Sequence, residues 1–118
     1  FHSPTSGIVL NATVTSASEV ARMARTHWQL GGGGIVVACP IPEHGAIDRA
    51  ELENWVDEAL RRTGAGEQGG ADVTPAVLGA LAEISDGRTV EANLVLAENN
   101  AAVAAEIASE LVGLQDAR

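Results

Sequence analysis

Three asparagine side chains fall within residues 87–101, a stretch whose apolar and alanine-rich pattern predicts a long helix. They are Asn93, Asn99 and Asn100. Asn competes with the backbone for hydrogen bonds and contributes little to helix propensity, so propensity alone does not explain them. Asn93 and Asn100 are seven residues apart and share a helix face, whereas Asn99 points to its side. We therefore expect a polar ligand to meet this helix near its start, with Asn93 as the binding residue.

A second candidate for chemistry is Cys39, which comes before two closely spaced prolines and is followed by Glu43 and His44. A thiol beside a histidine or a carboxylate could act as a nucleophile. The prolines at 40 and 42 predict a rigid, extended turn at the end of an apolar segment. A buried and unreactive thiol is the commoner outcome for such a position, and it is the interpretation that we favour.

Two other features resemble binding motifs only superficially. The four glycines at 31–34 precede an apolar run, whereas a phosphate-binding glycine loop leads from a strand into a helix. His27 has no second metal-type ligand one helical turn away, so the pattern places it at the edge of a packed stripe. Neither feature predicts a ligand site.

The elements that would position these residues are two strands and four helices. The strands are predicted over Val9–Thr13 and Ile35–Cys39, since both segments are rich in β-branched residues. Each helix has a start signal. The first runs from a capping box at Ser16 to about Leu30, the second from Asp48 to Gly64, the third from Thr74 and Pro75 through Ile84, and the fourth from Thr89 to about Val112. Residues 64–72 are predicted to form a flexible loop.

Length, charge and composition limit the possible functions. A chain of 118 residues can form one small domain, and its formal net charge of −9 disfavours nucleic acid and anionic membranes as partners. The chain contains no lysine and a single cysteine, which points to a reducing compartment. No apolar run could span a bilayer, so we expect a cytoplasmic protein. Because the first residue is Phe1, we expect a chain that is processed, cleaved or truncated at its start, or one that has lost a tag or initiator.

Several motifs together resemble the C-terminal third of the pseudouridine-5'-phosphate glycosidases. In chain order they are residues 28–31, residues 34–43 with the Pro-Ile-Pro turn, Val73-Thr74-Pro75, and Glu91-Ala92-Asn93 through Asn99-Asn100-Ala101. Residues 1–7 resemble the family's approach to that third, so the likeness covers nearly all of residues 1–118. Each motif is weak alone, and their common order is specific.

The resemblance implies an α/β fold, namely the C-terminal part of an α/β/α sandwich with a mixed central sheet. It also implies a usually trimeric enzyme that exchanges pseudouridine 5'-phosphate with uracil and ribose 5-phosphate. In that family a lysine forms an imine with the ring-opened sugar, a glutamate moves protons and a manganese ion (Mn2+) lies near the phosphate. No catalytic or metal-binding residue can be assigned in this chain, so an N-terminal portion of the enzyme is the expected partner.

One family residue carries over, and it matches Asn93. In relatives it faces the base and sugar, and an amide that both donates and accepts hydrogen bonds suits a uracil-like edge. The alternative is that Asn93 only caps the helix or bonds a neighbouring loop.

Departures from the family pattern leave the acceptor open. Cys39 replaces an asparagine, Ala71 a lysine and Ala76 an aromatic residue. Relatives in natural-product pathways attach ribose 5-phosphate to aromatic carbons, and such a C-ribosylating synthase is the first alternative. A small non-catalytic interaction domain is the second.

Overall fold

The computed structural model of the chain describes Leu10, residues 12–64 and residues 73–116. Four α-helices and one short 3-10 turn make up its regular structure. In chain order they are α1 (Ala17–Gln29), the 3-10 turn (Glu43–Gly45), α2 (Arg49–Thr63), α3 (Val73–Ile84) and α4 (Arg88–Asp116). All four predicted helices are therefore present.

The predicted α/β fold with a mixed sheet is wrong for the described residues, whose regular structure is helical and includes no strand. Residues 35–39 have no regular structure, and Ile35, Val36 and Val37 are 41%, 94% and 44% exposed. Leu10, Ala12 and Thr13, from the other predicted strand, also lie outside any regular element. A β-branched run becomes a strand only when a neighbouring segment accepts its backbone hydrogen bonds and covers its side chains, and no described segment does so here.

The start signals of α1 and α2 work as predicted. The Ser16 hydroxyl accepts a hydrogen bond from the Glu19 amide at 3.3 Å, and Glu19 reaches back to the Thr15 amide at 3.0 Å. The Asp48 carboxylate accepts from the amides of Ala50 and Glu51. Gly64 ends α2 in the left-handed conformation with φ of 62°. The remainder of the predicted loop, residues 65–72, and Ala71 with it, lies outside the described residues.

The starts of α3 and α4 differ from the prediction. Helix α3 already includes Val73, so Thr74 is not its cap. Helix α4 begins at Arg88, directly after Gly87 with φ of 82°, and Thr89 lies inside its first turn. The Thr89 amide donates to the Ser85 hydroxyl at 3.2 Å, so Ser85 takes the capping role that the sequence pattern had assigned to Thr89.

The chain divides into two compact units, each with part of α4. Described residues of 40–97 form the first unit. Its core consists of Ile41, Ile47, Ala92 and Leu96, and Ala46, Leu52 and Trp55 pack against it. Helices α2 and α3 also pack together in this unit. The core therefore joins the Pro-Ile-Pro turn to the first turns of α4.

Two electrostatic contacts of Arg88 also stabilise the first unit. The Arg88 guanidinium lies over the Trp55 ring, 4.9 Å from its centroid, and forms a 2.5 Å salt bridge with Glu51. The hydrogen bond that the Arg88 guanidinium donates to Glu51 raises the pKa of Arg88. The start of α4 is tied to α2 by a cation–π contact and an ion pair.

Described residues of 10–39 and 98–116 form the second unit. Ala21 and Ala24 are buried on α1, and the Arg25 guanidinium donates to the Leu114 carbonyl near the end of α4. Two larger apolar side chains of α1, Met23 and Trp28, are 47% and 48% exposed. None of the four helices, over its described residues, combines the length and the hydropathy that crossing a membrane requires.

Candidate functional site

Asn93 lies in the second turn of α4, in the first unit, and its side chain is exposed. Its neighbours Ala92 and Leu96 are buried at 3% and 8% exposure. At 3.6 residues per turn, Asn93 therefore sits at the edge of the buried face of α4. No hydrogen bond among the described residues involves its amide, so within this part of the chain Asn93 is neither a cap nor a loop anchor.

The Pro-Ile-Pro turn packs against the same part of α4. Ile41, the residue between the two prolines, is 2% exposed and belongs to one cluster with Ala92 and Leu96. The fixed φ angles of Pro40 and Pro42 hold this short segment in one shape, while Ile41 anchors it to the helix. The structure thus brings together two features of the sequence that are about 50 residues apart.

The backbone of the 3-10 turn lies very close to a side chain of α4. A Cβ atom added to Gly45 would lie 2.6 Å from Val95 Cγ1 and 2.9 Å from Val95 Cβ. Only glycine leaves room for this approach. The Glu43 and His44 side chains, which this turn carries, are exposed. The turn is therefore seated on the helix that bears Asn93.

The side of α4 that carries Asn93 is otherwise apolar and open to solvent. Val90 and Leu94 are 49% and 60% exposed, and Ala97 is exposed as well. Together with Asn93 they occupy an arc of about 100° on the helix. The Asn93 amide is thus a polar group on an otherwise apolar surface that is open to solvent.

The remaining sequence candidates belong to the second unit. Cys39 is a half-buried free thiol that belongs to the second unit, as do Asn99 and Asn100. No described hydrogen bond involves the Cys39 thiol. His27 is exposed on α1, where a Cβ atom on Gly32 would fall 2.2 Å from its imidazole. This packing agrees with a structural role for His27.

The described residues do not fit a metal ion. They contain no group of three or more His, Cys, Asp or Glu side chains that could bind one. Manganese takes carboxylate and other oxygen ligands, and no such set converges beside Asn93 in the part of the chain that the structure describes. The described residues therefore provide no binding site for the expected Mn2+.

Sequence reasoning missed two residues that hold the site. Ser85 is 2% exposed, accepts from the Thr89 amide and lies 3.1 Å from the Thr89 hydroxyl. Its position three residues before Arg88, the first residue of α4, is a cap signal, but the Asp86-Gly87 turn that follows Ser85 predicts a helix start at Thr89 instead. Arg88 gave no signal, because its contact with Trp55 joins residues 33 positions apart.

Comparison with known proteins shows several relatives. A family model described as Indigoidine synthase A like protein matches residues 1–110. The pseudouridine-5'-phosphate glycosidase of Sorangium cellulosum is 42% identical over 106 residues, which cover 90% of this chain and 33% of the relative. That of Deinococcus radiodurans is 38% identical over 115 residues, covering 97% of this chain and 37% of the relative. The predicted resemblance is confirmed. This chain spans about a third of the length of the curated relatives that it matches.

A solved structure is also similar. It is the crystal structure of the prealnumycin C-glycosynthase AlnA in complex with ribulose 5-phosphate. The TM-score is 0.75 and the sequence identity 33%, over 92% of this chain and 37% of that one. The chain therefore matches a glycosidase group and a C-glycosynthase over similar shares of their lengths.

Proposed function

The chain belongs to the Indigoidine synthase A like family, and from that premise we propose that it is one part of an enzyme that breaks or forms a C-glycosidic bond. The reaction is pseudouridine 5'-phosphate plus water giving uracil and ribose 5-phosphate, in either direction. The observation that supports it is the likeness to pseudouridine-5'-phosphate glycosidases at 38–42% identity. The relatives are named as enzymes, and in the proposal this chain is part of one.

The chemistry requires groups that this chain does not contain. A carbon–carbon glycosidic bond has no leaving oxygen to protonate, so covalent capture of the sugar as an imine offers a path with delocalised charge. The chain has no lysine for that step. In the proposal, a separate N-terminal portion of the enzyme supplies the lysine, the proton-transferring glutamate and the ligands of a manganese ion. A homotrimer is the proposed assembly.

This chain contributes binding and orientation. The Asn93 amide can donate one hydrogen bond and accept another, which matches the alternating N–H and C=O groups of a uracil-like base. Arg88 and Ser85 hold the start of α4, so they fix the backbone position from which the Asn93 amide extends. Orientation of this kind lowers the entropic part of a reaction barrier.

A C-ribosylating synthase is the second candidate, and a specific observation favours it. The similar solved structure is that of a C-glycosynthase bound to a five-carbon sugar phosphate. In this alternative, ribose 5-phosphate is joined to an aromatic carbon of a larger acceptor. The sugar phosphate is common to both candidates, and the acceptor separates them.

The test starts from the chain purified from its own source. We expect intact-mass measurement to find a partner of roughly twice the mass of this chain, with the lysine in its sequence. The complex is then incubated with ribose 5-phosphate and either uracil or a larger aromatic acceptor, and C-nucleotides are detected by mass spectrometry. Product with uracil supports the glycosidase, and product with the aromatic acceptor alone supports the synthase. A stable complex that forms neither product would support the non-catalytic interaction domain.

A further inference from the structure

We propose that Thr89 is a positioning residue for Asn93, and that its hydroxyl oxygen accepts a hydrogen bond from the Asn93 amide nitrogen (Nδ2) when a ligand binds. The amide oxygen (Oδ1) and the second hydrogen of Nδ2 then face the ligand. This inference rests on the proposed function. It adds to it the atoms that Asn93 presents to the base and the residue that selects them.

Two buried hydroxyl groups lie at the start of α4, one helical turn before Asn93. Ser85 is 2% exposed and Thr89 is 6% exposed, and their hydroxyl oxygens are 3.1 Å apart. Thr89 and Asn93 are four residues apart, so they are neighbours along one side of the helix. Helical side chains lean toward the N-terminus, and the Asn93 side chain therefore extends over the turn that carries Thr89.

The hydrogen bonds around Ser85 indicate which of the two hydroxyls is the donor. The Ser85 hydroxyl lies 3.4 Å from the Ala82 carbonyl oxygen, which can only accept, so Ser85 is the donor in that pair. A hydroxyl has one hydrogen, and the bond between Ser85 and Thr89 therefore uses the hydrogen of Thr89. The Ser85 oxygen then accepts two hydrogen bonds, one from the Thr89 hydroxyl and one from the Thr89 amide at 3.2 Å.

The opposite direction between the two hydroxyls is less favourable. If Ser85 donated to Thr89, its contact with the Ala82 carbonyl would be lost and the Thr89 hydrogen would need another acceptor. Ser85 is the one partner of the Thr89 hydroxyl within the described ranges. A buried hydroxyl hydrogen without an acceptor costs the free energy of its desolvation. Thr89 is therefore the donor to Ser85, and the Thr89 oxygen keeps its lone pairs for a further hydrogen bond.

Those lone pairs select one end of the Asn93 amide. Nδ2 donates and Oδ1 accepts, so the Thr89 oxygen can pair only with Nδ2. In water an exposed amide gains little from such a bond, but a ligand that covers Asn93 excludes water and makes the bond to Thr89 more favourable. Oδ1 and the remaining N–H then match a ring N–H next to a ring carbonyl. That pair of groups is the edge of uracil.

The experiment measures binding of uracil to the assembled enzyme, prepared with variants of this chain. Thr89→Val removes the hydroxyl and keeps the branched shape, whereas Thr89→Ser keeps the hydroxyl. Thr63→Val is the matched control, because Thr63 is a threonine of α2 in the same unit whose hydroxyl donates to the Ala59 carbonyl at 2.8 Å. Titration calorimetry gives Kd of uracil, steady-state kinetics give KM for ribose 5-phosphate, and thermal unfolding gives Tm.

We expect Thr89→Val to raise Kd of uracil about fivefold, the usual effect of losing one hydrogen bond, with KM for ribose 5-phosphate changed less than about twofold. Thr89→Ser and Thr63→Val should keep Kd within about twofold of the unsubstituted enzyme. If Thr89→Val does not fold, Thr89→Ala also removes the hydroxyl, favours helix and has the same expected effect on Kd.

A double substitution separates positioning from a structural role. In the Asn93→Ala background, Thr89→Val should change Kd of uracil less than about twofold, because Thr89 acts through the Asn93 amide. A structural role would lower Tm and would change Kd equally in both backgrounds. Equal changes of Kd in the two backgrounds would therefore overturn the inference. An unchanged Kd in both Thr89→Val and Thr89→Ala would overturn it as well.

The same measurements separate this inference from the proposed function. Uracil binding that depends on Thr89, in an enzyme that forms no product with any acceptor, would reject the function and support the inference. An assembled enzyme that does not bind uracil would overturn the inference. Product from an aromatic acceptor in that same enzyme would still support the formation of a C-glycosidic bond.

Discussion

Gly45 approaches Val95 so closely that a Cβ atom at position 45 would lie 2.6 Å from Val95 Cγ1. Gly45 is not among the glycines with positive φ, so space, not backbone conformation, demands glycine there. Val95 is β-branched and sits in a helix, where its side chain has one preferred rotamer. The contact therefore joins two stiff groups and fixes the position of the 3-10 turn on α4.

We predict that Gly45→Ala lowers the free energy of unfolding by about 1–3 kcal/mol, the usual effect of overpacking. Gly79→Ala is the control, because a Cβ on Gly79 meets nothing within 4 Å and Gly79 lies inside α3. That change should stabilise the chain by about 0.5–1 kcal/mol, since alanine favours helix more than glycine does. Urea unfolding measures both. Equal stability of Gly45→Ala and the unsubstituted chain would show that the turn is not seated on Val95.

The cap at Ser85 gives a second prediction. Ser85→Ala removes the acceptor for the buried Thr89 amide and should lower the free energy of unfolding by about 1–2 kcal/mol. Ser109→Ala is the control, because the Ser109 hydroxyl is exposed and only donates back to the Ala105 carbonyl. Its effect should stay within about 0.5 kcal/mol. Equal losses for the two serines would mean that Ser85 does not cap α4.

The third prediction concerns acid sensitivity at the start of α1. The Thr15 amide, and then the Ser16 hydroxyl, hold the pKa of Glu19 below its usual value. A carboxyl whose pKa falls on folding stabilises the chain above the usual pKa of about 4.3, and that contribution is lost as the pH falls through the lowered pKa. Glu19→Gln should therefore lower Tm near neutral pH, and the difference from the unsubstituted chain should shrink at about pH 3.

The control for that prediction is Glu106→Gln. Glu106 is exposed on α4, and it forms no salt bridge or side-chain hydrogen bond among the described residues. Thermal unfolding of the three proteins across the acid range gives the comparison. A Glu19→Gln difference that keeps its size from neutral pH to pH 3 would contradict the capping-box interpretation.

How far the sequence predicted the structure depended on how local each signal was. The caps at Ser16 and Asp48, and the end of α2 at Gly64, are set by signals within a few residues of those positions, and all three are confirmed. The sheet was predicted from residues such as Val36, whose β-branched side chain favours a strand only next to a partner. Val36 is instead 94% exposed, so the prediction failed where it needed a segment that the described chain does not provide.

The same difference between local and long-range signals applies to the candidate site. Asn93 was found because an amide is unexpected in an apolar helix, and the placement of Ile41 beside it required the structure. Arg88 and Trp55 could not be paired from spacing alone, because they lie in different helices. The family likeness pointed to Asn93, and the packing in the structure shows which residues hold the start of its helix in place.

The last prediction tests Asn93 directly. Its amide makes no hydrogen bond among the described residues, so Asn93→Ala should leave the free energy of unfolding unchanged or raise it by at most about 0.7 kcal/mol, through the better helix propensity of alanine. In the assembled enzyme, loss of hydrogen bonds to the base should reduce kcat/KM about tenfold. Asn100→Ala, an exposed amide on α4 in the second unit, should leave kcat/KM within twofold. Because stability and turnover are measured on the same variants, unchanged turnover of Asn93→Ala would remove this residue from the site.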